Sequence, residues 1–128
     1  MIKMESITNT TPYRKIEYLS KLSESEFLKY CSNNNIKPII KDYCNILAKK
    51  LSEEFGNVID LNSIPNLLLE KDLIDPSLYP QLKEMLLFAE SIENEPLPEI
   101  YNNLIRLLET VEEAYEQIDL RFSNTSKP

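Results

Sequence analysis

A single glycine in 128 residues, Gly56, sets the tightest limit on what this chain can build. β-Sandwiches and barrels turn back on themselves at every strand end and draw on many such residues, so one glycine does not serve them. Glycine-rich phosphate loops and dinucleotide fingerprints fall by the same count, because they need several glycines close together. Histidine is absent altogether. With it go the commonest general base, the commonest metal ligand and every triad or dyad that depends on imidazole. Two cysteines, Cys31 and Cys44, are too few for the usual all-Cys or Cys/His zinc site. The length is that of one domain, enough to bury a core without staples.

What the chain offers instead is helical periodicity. Pro38 opens the strongest element: Ile39, Ile40, Tyr43, Cys44, Leu47, Ala48, Leu51 and Phe55 recur at three- and four-residue steps. Lys41, Lys49, Lys50, Glu53 and Glu54 fall largely opposite, and Gly56-Asn57 is the C-terminal stop. A second stripe, Leu78, Leu82, Met85, Leu86, Ala89 and Ile92, follows the cap-then-proline signal Asp75-Pro76. A third, Ile100, Leu104, Leu107, Leu108, Val111, Tyr115 and Ile118, follows the break at Glu95-Pro96-Leu97-Pro98. Shorter helices are expected after Thr11-Pro12, after the capping-box sequence Ser23-Glu24-Ser25-Glu26, and over residues 66–71. The expected fold is therefore all-α. It is a small bundle of five to six helices, the long ones near residues 38–55, 76–92 and 98–122.

Residues 1–11 read as a flexible lead-in and 124–128 as a disordered tail. The run Ser32-Asn33-Asn34-Asn35 is a turn signal that divides a small helical segment, 12–35, from the main bundle, 36–123. No apolar run approaches the ~18 residues that span a bilayer, and residues 1–11 lack the apolar stretch of a secretion signal. Two cysteines without such a signal fit a reducing cytoplasm, where each is expected to be buried and inert.

The net charge of −7 is unevenly spread: residues 1–64 sum to +1 and residues 65–128 to −8. An acidic half repels phosphate backbones, so direct nucleic-acid binding through it is disfavoured. The N-terminal half keeps a basic cluster, Arg14, Lys15 and Lys21, which is either a solvated helix face or a contact for something anionic. Tyr13 and Tyr18 beside it are the tyrosines marked for contact, since tyrosine buries area while keeping a polar tip.

Three carboxylate groups stand out. Glu109, Glu112, Glu113 and Glu116, with Asp119 one turn on, share one face of the last helix. Such a face is solvated, or presents charge to a basic partner, or holds a cation. Di-iron bundles need two Glu-x-x-His motifs, which this chain does not have. Glu90, Glu93, Glu95 and Glu99 surround the proline-broken loop, a docking site for Lys or Arg of another protein. Asp60, Asp72 and Asp75 lack the ligand alternation of a calcium loop; Asp75 reads as a helix cap and Asp60 as a turn residue.

The stretch from Ile64 through Leu67-Leu68-Leu69 and Leu73-Ile74-Asp75, then the helix over 76–88, a break and a last helix, resembles HEPN-like helical domains. With the helix over 38–55 in front, the resemblance covers about 38–120. Active HEPN ribonucleases carry an Arg and a His near the end of the equivalent helix. Here that region reads Phe88-Ala89-Glu90-Ser91-Ile92-Glu93-Asn94 and has neither. The resemblance thus implies a degenerate, catalytically dead member whose helices survive as a binding or dimerisation surface, with a homodimer implied.

The expectation that follows is a non-enzymatic, cytoplasmic interaction module with no cofactor and no metal. It docks a protein with a basic surface through Glu90, Glu93, Glu95, Glu99, Glu109, Glu112, Glu113, Glu116 and Asp119. The alternative is a small inhibitor or immunity-type protein, of phage or toxin–antitoxin kind, that blocks a nucleic-acid-binding enzyme by acidic mimicry.

Overall fold

The computed structural model describes residues 6–125, and their side chains as far as Phe122. Among the described residues six α-helices follow one another: α1 (Thr11–Ser20), α2 (Glu24–Asn33), α3 (Lys37–Phe55), α4 (Ile64–Glu70), α5 (Tyr79–Glu90) and α6 (Leu97–Thr125). Among the described residues there is no strand. The fold is a small all-α bundle, and no described helix is long and apolar enough to cross a membrane.

Local chemistry explains most of the boundaries. At α2 the Ser23 hydroxyl accepts from the Glu26 N–H at 3.2 Å, while the Glu26 carboxylate accepts from the Ser23 N–H at 2.9 Å. This closes the capping box. At the end of α3, Gly56 takes the left-handed conformation, φ +78°, and its N–H reaches the Ser52 carbonyl. A second left-handed residue, Asp72 at φ +58°, ends α4, where the Leu73 N–H reaches back to the Leu68 carbonyl.

α6 is the spine. It packs against α1, α2, α3 and α5, and its inward stripe of Ile100, Leu104, Leu107, Leu108, Thr110, Val111, Ala114 and Ile118 is buried. Tyr43 of α3 is fully buried, and its hydroxyl donates to the Leu108 carbonyl at 2.6 Å. Burial holds the Tyr43 phenol well above its ordinary pKa and pushes the Cys44 thiol up to about 12. The Cys31 thiol is raised by the same cause.

Four features differ from expectation. The lead-in contains a 3-10 turn, Ile7–Asn9, with Ile7 completely buried against α1 and α6. Of the lead-in assigned to residues 1–11, residues 1–5 lie outside the described residues. Segment 12–35 packs onto the main bundle: its Ile16, Leu19 and Phe27 belong to the core that also holds α3 to α6. The expected helix over 76–92 is α5 with a 3-10 turn at each end; at its start Pro76 and Pro80 each open an element, since neither supplies an N–H to continue one. At the other terminus α6 runs to Thr125, into the segment expected as tail, of which 126–128 lie outside the described residues.

Candidate functional site

The acidic residues of α6 sort themselves by which neighbour each one meets. α1 lies along one flank of α6, where the Tyr13 hydroxyl donates to the Glu112 carboxylate at 3.3 Å. Partial burial, then the charge of Glu116, holds the Glu112 carboxyl above its usual range. On α3, Lys50 stands 2.8 Å from Asp119 with its side chain only 11% exposed, and its ammonium lies 5.1 Å from the Tyr115 ring centre. Lys50, expected on the solvent face of its helix, is thus folded inward against α6. Glu112 and Asp119 are therefore engaged within the fold, each half-buried.

The opposite flank meets α5. Arg106 grips Glu84 in a two-pronged pair, one prong at 2.9 Å, which holds the Glu84 carboxyl below its usual range. Further along, Gln117 donates to the Glu113 carboxylate at 2.8 Å and accepts the Asp75 N–H at 2.6 Å. Asp75 makes no side-chain cap, contrary to expectation, and uses its backbone instead. Arg121 binds the Asp72 carbonyl and lies 3.9 Å from its carboxylate.

Between these flanks α6 turns one strip to solvent. Ile105, Glu109, Glu113, Glu116 and Leu120 follow at steps of four, four, three and four, and all are exposed. Among the described residues no Lys or Arg pairs with Glu109, Glu113 or Glu116. Ile105 and Leu120, 55% and 61% exposed, bracket the three carboxylates. Neither apolar residue was marked from sequence, although both stand off the inward stripe, and that offset is the signal that finds them.

The second expected group does not join the first. Glu99 lies about 25 Å along the helix from Glu116, at 1.5 Å per residue. Glu93 lies 3.9 Å from Lys41, and its carbonyl accepts from Lys37. The Glu95 carboxylate accepts from Ser91 at 3.2 Å. Glu99 sits in the first turn of α6, where the helix dipole favours it. Glu90 is exposed and unpaired among the described residues. No three carboxylates or thiols among the described residues converge as a metal ion would need.

No family model, curated protein or solved structure matches this chain. Its function therefore has to be argued from its own surface.

Proposed function

We propose that this chain is a non-enzymatic, cytoplasmic interaction module that docks a basic protein partner on the outward strip of α6. One observation carries the reading: Glu109, Glu113 and Glu116 stand in solvent without an internal cation, bracketed by exposed Ile105 and Leu120. Elsewhere in the fold carboxylates are matched to cations, as Asp119 is to Lys50 and Glu84 to Arg106. Unpaired charge speeds encounter with an opposite surface and sets register, while flanking apolar side chains supply the contact area.

The strip narrows the docking residues to Glu109, Glu113 and Glu116, with Glu90 and the loop carboxylates peripheral. A homodimer, implied by the HEPN-like order of helices, belongs to the same proposal. So does the inhibitor reading, since a strip of regularly spaced carboxylates facing solvent is what acidic mimicry would use. Charge reversal by Glu113→Lys with Glu116→Lys is expected to weaken partner binding at least about tenfold. Competition with nucleic acid for the captured partner then separates an inhibitor from an adaptor. Binding that is insensitive to both charge reversal and salt would refute the proposal.

A further inference from the structure

The face built by α1 and α2 has the opposite character. Two adjoining hollows of about 380 and 400 Å³ share Tyr18 and Tyr30 as a common wall. Their rings meet edge-on at 6.1 Å. The first hollow is completed by Thr11, Arg14 and Lys15; the second includes Lys29, Asn33 and Glu26. Among the described residues no carboxylate pairs with Arg14, Lys15 or Lys29, whereas Lys21 outside the groove leans on Glu17. Each hollow has the size of a small-ligand site.

The groove is lined more by apolar than by polar surface, with the Tyr18 and Tyr30 rings and Leu22, and carries its polar groups at the two ends. One end offers an arginine, a lysine and a hydroxyl, a set suited to phosphate oxygens. The middle offers two phenol rings, and the far end a side-chain amide, Asn33, with a carboxylate, Glu26, that repels phosphate. We propose that this groove binds a free mononucleotide, phosphate on Arg14 and Lys15 and base against Tyr18 and Tyr30. An acidic peptide satisfies the cations but leaves the rings without a π-face to stack on. A nucleic-acid strand brings many phosphates toward a molecule of net charge −7, which repels them. The inference rests on this groove alone and is independent of the α6 strip.

Calorimetric titration of the intact chain at low salt tests it, with AMP, GMP, CMP and UMP as probes. Inorganic phosphate, the corresponding nucleosides and a single-stranded oligonucleotide are separate arms. At least one mononucleotide is expected to saturate with a Kd below about 1 mM, about tenfold tighter than phosphate or its nucleoside. Arg14→Ala with Lys15→Ala, and separately Tyr18→Leu, should each weaken it about tenfold with Tm unchanged, since all three side chains are exposed. The proposal is overturned by the absence of saturable binding, by phosphate alone binding as well as the nucleotide, or by indifference to both variants. An oligonucleotide that binds more tightly than any mononucleotide overturns it in favour of a strand.

Discussion

Lys50 and Asp119, 69 positions apart in the chain, meet at 2.8 Å between α3 and α6 with both side chains mostly shielded from water. The pair ties the two longest helices together at a point where neither could leave its charge alone. Burial opposes the Lys50 charge and is the largest single influence on it, but the Asp119 carboxylate, as acceptor and counter-charge, together with Tyr115 and Glu54 outweighs it, and the ammonium pKa is raised. Asp119→Asn should therefore destabilise the fold by about 2 kcal/mol, because it leaves a shielded ammonium without its counter-charge. Thermal unfolding is expected to show a loss of several degrees. Partner affinity measured below the new Tm should stay unchanged, which separates this carboxylate from Glu113 and Glu116.

Glu112 predicts a distinct pH response. Its folded pKa is raised, so the native state holds the proton more tightly than the unfolded chain does. The associated stability is present below the unfolded value and is lost as pH rises through the folded one. Glu112→Gln keeps an acceptor for the Tyr13 hydroxyl and removes the charge. Its Tm should exceed that of the parent at pH 7, with the difference vanishing below about pH 4, the ordinary glutamate range. An equal difference at both pH values would contradict this assignment.

Two left-handed residues predict changes of opposite sign. At Gly56 an added Cβ would meet nothing within 4 Å, so Gly56→Ala should cost about 1 kcal/mol through backbone conformation alone. At Asp72 a side chain already occupies such a position, and its carboxylate is 92% exposed with only a long contact to Arg121. Asp72→Gly should stabilise the chain by about 0.5 kcal/mol, since the exposed pair contributes little. Denaturant unfolding of the two variants measures both.

What could be read from sequence followed the range of the interaction. The capping box at Ser23 and Glu26, the stop at Gly56 and the inward stripe of α6 are set within a few residues of one another, and each stands where the sequence pattern put it, except that Tyr115 of the stripe is only half-buried. Ile7 was missed because its burial comes from a cleft made by α1 and α6, and nothing within the polar lead-in signals it. Lys50 and Asp119 were read as surface groups for the same reason: a helical wheel places a side chain on a flank but does not say which helix lies beside it. On α6 this mattered directly. The acidic face was legible as a face, but only the neighbouring α1 and α3 decide that Glu112 meets Tyr13 and Asp119 meets Lys50, while Glu109, Glu113 and Glu116 face solvent with no Lys or Arg paired to them among the described residues.

The most direct test of the α6 strip is an affinity capture from nuclease-treated lysate of the source cells. Parent and Glu113→Lys/Glu116→Lys baits are compared at low and high salt by quantitative mass spectrometry. The account predicts a stoichiometric partner with a basic surface, or a second copy of the chain, held by the parent at low salt. That species should be lost at high salt and lost with the double variant. A partner retained equally by both baits at both salt concentrations would contradict it.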